Sequence, residues 1–263
     1  MSAPSNARVL PVTILGSEPL APGFMRTSLA CPDLACQIQP GQFFNISVPG
    51  DARELLRIPM SYVGADPSQG TVEIAFRIVG NGTRRLAGLP TGTRTDLIGP
   101  LGHGWRYPEG MRKALIVGGG SGVAPVMALA GRLARMDVEF HVVQGARTSR
   151  EVIYENEIRA LGASRFEVTT DDGSRGTKGF PTAVVGGLVA SEGYDQVYAC
   201  GPQPMMRGIA ELCRKAGVPC MVSLETGMGC GFGACATCAI DTVNGKRGVC
   251  VDGPVFDAEE VIW

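Results

Sequence analysis

Four of the nine cysteines lie near the end of the sequence, close enough together to share one site. They are Cys230, Cys235, Cys238 and Cys250, separated by four, two and eleven residues. The first three reproduce the plant-type spacing of [2Fe–2S] ligands, in which a fourth cysteine follows further along. Glycines surround them, and glycine lets a backbone wrap a cluster closely and point N–H groups at its sulfurs. The spacing therefore predicts that these thiolates bind one [2Fe–2S] cluster.

Zinc is the main alternative ligand for the same cysteines. Structural zinc sites usually combine two Cys-x2–4-Cys pairs, whereas one tight triplet is joined here by a single distant cysteine. A disulfide framework is less favoured, because the other five cysteines are scattered and odd in number. The colour of the purified protein separates the two metals, since a zinc protein is colourless.

A second candidate site is the glycine-rich loop 118–125. It follows a short apolar run at 113–117 and precedes a helical pattern, so its free N–H groups and the helix dipole favour an anion. The standard dinucleotide fingerprint is not matched, because Val123 replaces its last glycine and Gln144 stands where an acidic residue usually ends the next strand. A nucleotide loop and a plain strand–helix turn therefore both remain open. The nucleotide interpretation assigns the phosphates to Gly118, Gly119, Gly120, Ser121 and Gly122.

Hydrophobic patterns divide the elements that position these sites into three regions, 1–108, 109–222 and 223–263. Apolar residues alternate strictly at 71–79, and short strand-like runs are separated by Pro, Gly and Asp, so the first region predicts a small antiparallel β-barrel. No helical period of useful length occurs in this region. Strands alternate with helices in the second region, including a helix at 151–161, which predicts a doubly wound parallel sheet covered on both faces. The third region has little regular pattern and would depend on its metal for order.

Composition and charge exclude several function classes. The formal net charge is −1, from 24 basic and 25 acidic residues, and no basic stretch predicts binding to nucleic acid or anionic lipid. Residues 114–131 carry no charge, but they contain five glycines and a proline and are too short for a membrane-spanning helix. The N-terminal residues lack the pattern of a secretory signal. Free thiols and a cluster then favour a cytoplasmic location.

The order of the motifs along nearly the whole chain resembles the ferredoxin–NADP reductase superfamily. Within it, the chain is most similar to the iron–sulfur flavoprotein subunits of dihydroorotate dehydrogenase B. The matching segments are 55–61 (Leu-Leu-Arg-Ile-Pro-Met-Ser), 76–78 with 82–83, 98–102, 118–125, 170–174 with 176–179, 200–202, 223–225, the four cysteines, and 252–256. The cluster segment and 252–256 are the most specific, because other reductases of this superfamily lack that tail.

The resemblance implies an FAD in the barrel and a nicotinamide nucleotide at the sheet. The implied flavin contacts are Arg57, Ile58, Pro59, Met60, Ser61, Phe76, Arg77, Ile78, Gly82 and Thr83, and Gly201 and Pro202 would join the nucleotide loop. One departure is Ile58, which stands where the family has a second arginine. Arg57 does not automatically replace it, because adjacent residues of a strand point to opposite faces. The flavin pyrophosphate would then be held by backbone N–H groups, Ser61, Thr83 or Arg77.

Cys200 and Glu225 are the candidate catalytic residues that the resemblance implies. Cys200 follows a predicted strand at the edge where ligands collect in open α/β folds, and the family places it near the contact of nicotinamide and flavin. It is equally consistent with a small buried apolar residue. Glu225 would orient the flavin or the nicotinamide, or would pair with nearby backbone.

The implied function is electron transfer between NAD(H), FAD, the cluster and a separate FMN-containing dihydroorotate dehydrogenase subunit of pyrimidine biosynthesis, in a hetero-oligomer. NADH is favoured over NADPH by the resemblance, although Arg147 and Arg150 are candidates to bind a 2′-phosphate. Phe232 is a candidate interface anchor or a shield for the cluster. The alternatives are a related reductase serving a sulfite reductase, a hydrogenase or a ferredoxin, and a zinc-bound nucleotide sensor without electron transfer.

Overall fold

The computed structural model describes residues 7–50 and 56–263. Residues 1–6, which belong to the segment considered for a secretory signal, and Leu55, which begins the flavin-binding match, lie outside these ranges. None of the helices within them is both long and apolar enough to cross a bilayer.

Seven antiparallel strands form the first sheet. They are β1 (Arg8–Ala21), β2 (Phe24–Ala30), β3 (Phe43–Ile46), β4 (Ile58–Ser61), β5 (Gly64–Asp66), β6 (Thr71–Arg77) and β7 (Arg94–Leu101). Their order is β4-β3-β7-β1-β2-β6-β5, and β4 also contacts β6, so that the sheet curls into a barrel. Its inner face buries large apolar side chains such as Phe44, Leu29 and Ile74. The predicted antiparallel barrel is confirmed.

Two short helices in this region were not predicted from the sequence. They are α1 (Pro32–Ala35) and α2 (Asn81–Ala87). The Thr83 hydroxyl caps α2, because it accepts hydrogen bonds from the N–H groups of Val79 (3.0 Å) and Gly80 (3.2 Å). Helices of four and seven residues complete two turns at most, so they leave too little periodicity to detect.

The second sheet also has seven strands, and four helices cover it. The remaining strands in the described residues are β8 (Lys113–Gly119), β9 (Glu139–Ala146), β10 (Arg165–Thr170), β11 (Thr177–Lys178), β12 (Gln196–Cys200), β13 (Cys220–Ser223), β14 (Ala239–Thr242), β15 (Gly245–Gly248) and β16 (Val255–Asp257). The α-helices that cover the sheet are α3 (Val123–Arg135), α4 (Glu155–Ala160), α5 (Thr182–Ser191) and α6 (Gln203–Ala216). The sheet order is β11-β10-β9-β8-β12-β13-β16, parallel except for β16.

Alternate residues of the sheet face two different cores. Ile116 of β8 packs with α3 and α4, whereas its neighbours Leu115 and Val117 pack with α5 and α6. Helices on both faces make this the predicted doubly wound sheet. Its strand order reverses between β8 and β12, whose following loops therefore leave side by side, and ligands collect at such a switch point.

Two local predictions were wrong. The helical pattern at 151–161 forms a helix only from Glu155, because Tyr154 adopts a left-handed conformation (φ 62°) after a short 3-10 turn at Ser149–Glu151. The cluster region is more regular than expected, since β14 and β15 form a hairpin and β16 joins the nucleotide sheet. The Asn244-Gly245 turn is a strong hairpin signal that was available in the sequence. The boundaries 1–108, 109–222 and 223–263 remain a proposal.

Candidate cofactor and cluster sites

The four cysteines of the C-terminal segment come together in two pairs. The N–H of Cys230 lies 3.4 Å from the Sγ of Cys235, and the N–H of Cys250 lies 3.4 Å from the Sγ of Cys238. Cys230 contributes to the raised pKa of Cys250, so the two pairs lie near each other. A [2Fe–2S] cluster takes four thiolates, two on each iron, so the paired arrangement fits that group.

A mononuclear site is a poorer fit. Within residues 7–50 and 56–263, no three Cys, His, Asp or Glu side chains converge as they would around a single ion. Tetrahedral zinc needs four donors within about 2.3 Å of one metal. The pairing of Cys230 with Cys235 and of Cys238 with Cys250 matches two bridged metals, each held by two thiolates.

The two cysteine pairs differ in their electrostatic surroundings. Hydrogen bonds from the Thr237 hydroxyl and from backbone N–H groups lower the pKa of exposed Cys235 to about 6. Burial, together with the neighbouring thiol of Cys238, raises the pKa of Cys250 to about 12. Metal ligation requires thiolates, so a bound cluster would have to offset the burial that disfavours the charged form of Cys250.

Asn45 joins the cluster loop to the barrel, and sequence analysis missed it. This buried residue of β3 donates from Nδ2 to the carbonyl oxygen of Cys230 (3.1 Å). A Cβ atom on Gly231, whose φ is 81°, would lie 2.0 Å from that same nitrogen. Only glycine fits there, and the loop consequently approaches the barrel closely.

A cavity of about 340 Å³ lies between the barrel and the nucleotide sheet. Of the predicted flavin contacts and loop residues, it is lined by Ile58, Pro59, Met60, Ser61, Phe76, Arg77, Thr83 and Ser121. Glu225 and Met228 complete the wall toward the cluster segment. Arg57, Ile78 and Gly82 do not line this cavity. Apolar walls with a few polar groups are typical of cofactor sites.

Arg57 is engaged elsewhere in the barrel. It forms an ion pair with Asp96 of β7 and donates to the backbone oxygen of the same residue (3.1 Å). This pairing supports the expectation that Arg57 does not simply replace the arginine that the family has at position 58.

Two adjoining cavities cross the carboxyl edge of the nucleotide sheet. The inner nucleotide cavity, of about 380 Å³, is lined by Gly119, Gly120, Ser121, Gly201, Pro202 and Glu225, together with residues of the cluster segment. The outer nucleotide cavity, of about 340 Å³, shares Gly119, Gly120 and Pro202 and continues past Asp171 to Phe180. Gly118 and Gly122 line neither. A Cβ atom on Gly122 would lie 2.3 Å from the carbonyl oxygen of Cys200, so this glycine is required for packing.

Arg77 reaches all three cavities from the end of β6. Its Nη2 lies 3.4 Å from the Oε1 of Glu151, a nearly buried carboxylate of the nucleotide domain. Glu151 also accepts from the Nε of Arg147 at 3.1 Å. One carboxylate therefore holds two guanidinium groups where the barrel meets the sheet, and Arg147 is not an unpaired charge.

The two candidate catalytic residues differ in access. Cys200 is 1% exposed and lines none of these three cavities. Burial raises its pKa well above the usual value, and the Glu225 carboxylate adds to this shift. Glu225 lines both the cavity between the barrel and the nucleotide sheet and the inner nucleotide cavity. Solvent reaches Glu225 through these cavities while protein crowds its carboxylate on other sides, and this desolvation raises its pKa.

A larger cavity lies elsewhere in the described part of the chain, between the barrel and α3. It measures about 790 Å³, and its lining includes Tyr62, Met127, Arg132 and Arg135. None of the predicted site residues lines it, so its size does not make it the candidate site.

Comparisons with known proteins match two parts of this chain to known domain families. Residues 225–262 match the family described as the iron–sulfur cluster binding domain of dihydroorotate dehydrogenase B, and residues 116–211 match an oxidoreductase NAD-binding domain. The fold resembles that of an NADH-dependent reduced ferredoxin–NADP oxidoreductase (TM-score 0.87, 31% identity, 95% of this chain and 89% of that chain). Phthalate dioxygenase reductase shares the fold (TM-score 0.65, 17% identity, 89% and 87%).

Curated relatives cover nearly the same length. The electron transfer subunit of dihydroorotate dehydrogenase B (NAD(+)) from Bacillus caldolyticus is 44% identical over 230 residues, 85% of this chain and 87% of that protein. The corresponding subunit from Geobacillus thermodenitrificans is 40% identical over 257 residues, 95% of this chain and 97% of that protein. The chain belongs to the family of dihydroorotate dehydrogenase B electron transfer subunits.

Proposed function

We propose that this chain transfers electrons from NADH, by way of FAD and a [2Fe–2S] cluster, to an FMN-containing dihydroorotate dehydrogenase catalytic subunit in a cytoplasmic hetero-oligomer. The observation that carries the proposal is the position of the cavity between the barrel and the nucleotide sheet. Its walls include Ser121 of the nucleotide loop, and also Met228 and Pro254 of the cluster segment. A cofactor in this cavity would contact both neighbouring sites, as a relay requires.

When bound, the flavin takes a hydride and releases its electrons singly, and the cluster carries single electrons. The residues of this chain bind and orient these groups. Pro59, Met60 and Phe76 supply apolar walls for the flavin, and Ser61 and Arg77 supply polar contacts. Cys230, Cys235, Cys238 and Cys250 hold the cluster. Glu225 lines both cavities and would face both the flavin and the nicotinamide. Buried Cys200 supports the nucleotide loop, because Gly122 packs against its carbonyl oxygen.

Phe180 is the proposed partner of the adenine ring. It is 63% exposed and lines the outer nucleotide cavity, where an aromatic face is available for stacking. Stacking of a base on an aromatic ring contributes about 1–3 kcal/mol. We expect Phe180→Ala to raise the KM for NADH about tenfold or more with kcat little changed, and Phe180→Tyr to restore it. Steady-state kinetics of flavin reduction tests this; a KM unchanged in the alanine variant contradicts it.

The charges of the outer cavity favour NADH over NADPH. Asp171 lines this cavity, and Glu151 pairs with Arg147, the cation that would otherwise attract a 2′-phosphate. We expect Glu151→Gln to raise the kcat/KM ratio of NADPH to NADH about tenfold, because it removes one repelling charge and releases Arg147.

The matched control for this selectivity test is Glu155→Gln. Glu155 pairs with Arg159 and lines neither nucleotide cavity. Stopped-flow reduction with each nucleotide gives the two ratios. A ratio unchanged in Glu151→Gln, or changed equally in the control, contradicts the assignment.

The proposed contact with the catalytic subunit is the segment 229–239. Phe232 lies within it and is 44% exposed, and Cys235 is exposed beside it. Exposed aromatic residues are frequent anchors of interfaces. An electron acceptor must approach the cluster closely, so a binding surface around half-buried Cys230 and exposed Cys235 suits the function.

Co-expression with the catalytic subunit of the same organism tests the proposed function. We expect the two chains to elute together in size-exclusion chromatography and to form orotate with NAD+. The Phe232→Ala complex should dissociate at a higher protein concentration than the wild-type complex. Val243→Ala, at an apolar site outside the segment that is more exposed than Phe232 (65% against 44%), is the control. Separate elution without orotate formation contradicts the proposal. Reduction of a ferredoxin in that case would favour the related reductase that the structural likeness also supports.

A further inference from the structure

The segment that carries the cluster cysteines also forms one wall of the inner nucleotide cavity. Ile240, Val261 and Ile262 line this cavity, together with the loops 119–121 and 201–203. Ile240 belongs to β14, and the two later residues follow β16. The nucleotide site is therefore built partly by a segment that the NAD-binding match at 116–211 does not include.

Backbone contacts attach residues 260–262 to the hairpin formed by β14 and β15. The N–H of Val243 donates to the oxygen of Glu260 (2.9 Å), and the N–H of Ile262 donates to the oxygen of Asp241 (3.1 Å). A bridge pairs Thr242 with Val261 between these two bonds. The hairpin and residues 260–262 consequently behave as one small unit.

Two cluster cysteines lie at the base of the same hairpin. Cys238 precedes the first residue of β14, and Cys250 follows the end of β15 by two residues. The N–H of Val249 donates to the oxygen of Cys238 (3.1 Å), and the N–H of Cys250 approaches the Sγ of Cys238. Ligation of this buried pair would close the hairpin at its base.

We propose that cluster ligation and nucleotide binding are coupled through this hairpin, with Ile240 and Ile262 as positioning residues for the nicotinamide end. Metal ligation orders the segments that carry the ligands, and Ile240 is two residues from Cys238. A wall that is already ordered costs less entropy when the nucleotide binds. The coupling is reciprocal for equilibrium affinities. This inference rests on the proposed function, because it requires the inner cavity to bind the nicotinamide nucleotide.

The exposure of an isoleucine does not by itself show that it contacts a nucleotide, so the experiment needs matched controls. Ile262 is 57% exposed, and isolated exposed apolar residues are common on protein surfaces. Val243 on the same hairpin is 65% exposed but does not line the cavity, so it serves as the matched control for the isoleucines. Cys36, an exposed cysteine far from the cluster segment in sequence, is the control for the cluster ligands.

The test measures NAD+ affinity by isothermal titration calorimetry on the flavin-loaded full chain. We expect Ile240→Ala and Ile262→Ala to weaken NAD+ binding about three- to tenfold while the visible circular dichroism of the cluster stays unchanged. Cys250→Ser, which removes one ligand, should weaken NAD+ binding by a similar factor. Val243→Ala and Cys36→Ser should bind like the wild type.

Unchanged affinity in Cys250→Ser, or in both isoleucine variants, would overturn the coupling, and so would equal weakening in Val243→Ala. Cys230→Ser replaces Cys250→Ser if the latter does not fold. Failure of the proposed function is distinguishable, because the wild-type protein itself would then bind no NAD+.

Discussion

Replacing Cys230, Cys235, Cys238 or Cys250 by serine is expected to remove the iron–sulfur absorbance almost completely. Serine offers no soft thiolate, and the loss of one ligand from a four-thiolate cluster leaves one iron incompletely held. Iron and acid-labile sulfide should fall together, and reduction of one-electron acceptors should stop. Flavin reduction at saturating NADH should continue, because the residues that line the flavin and nucleotide cavities do not include these cysteines.

Cys36→Ser is the control for the cluster ligands, since Cys36 is an exposed thiol outside the segment. Its iron and sulfide contents should equal those of the wild type. A complete cluster in Cys250→Ser would show that the fourth ligand is a different residue. Equal losses in Cys36→Ser would show that the effect is not specific to the pairs.

The second large effect is expected for Gly122→Val. A Cβ atom at this position would lie 2.3 Å from the carbonyl oxygen of Cys200, so either the nucleotide loop or the end of β12 must move. We expect kcat/KM for NADH to fall at least about a hundredfold, because misplacement of about 1 Å is enough for such losses. The absorbance of flavin and cluster should remain, since neither depends on this loop alone.

The control for Gly122→Val is Gly187→Ala in α5, where an added Cβ atom meets nothing within 4 Å. That change should leave kinetics unchanged and should stabilise the protein by roughly 0.5–1 kcal/mol, because alanine is the better helix former. Kinetics of Gly122→Val that match the wild type would mean that the loop tolerates the displacement. In that case the switch-point loop would not be the nucleotide site.

Much of the architecture was predictable because it follows from local periodicity. The two-residue alternation at 71–79 predicts a strand, and β6 occupies Thr71–Arg77. The cysteine spacing predicts one shared site, and in the structure Cys230 lies beside Cys235 and Cys250 beside Cys238. The failures were also local. The turn at Asn244-Gly245 was overlooked, and the left-handed conformation of Tyr154 delays a helix that its apolar pattern placed earlier.

The rest of the site depends on contacts between distant parts of the chain. Asn45 and Cys230 are 185 residues apart, so no local pattern connects the barrel with the cluster loop. Arg77 and Glu151 are 74 residues apart and meet only where the barrel packs on the nucleotide sheet. Arg57 was a natural flavin candidate by motif, but its pairing with Asp96 depends on strand register. Burial and partner choice decide these roles, and periodicity does not encode them.

The most direct test of the relay is an anaerobic NADH titration of the purified chain, followed by visible absorbance and by electron paramagnetic resonance. Metal, sulfide and flavin analysis of the same sample should give about two iron, two sulfide and one FAD per chain. We predict that NADH bleaches the flavin bands and that the signal of a reduced [2Fe–2S] cluster then develops. A colourless protein containing zinc without sulfide, or a flavin that NADH reduces while the cluster never accepts an electron, would contradict the account.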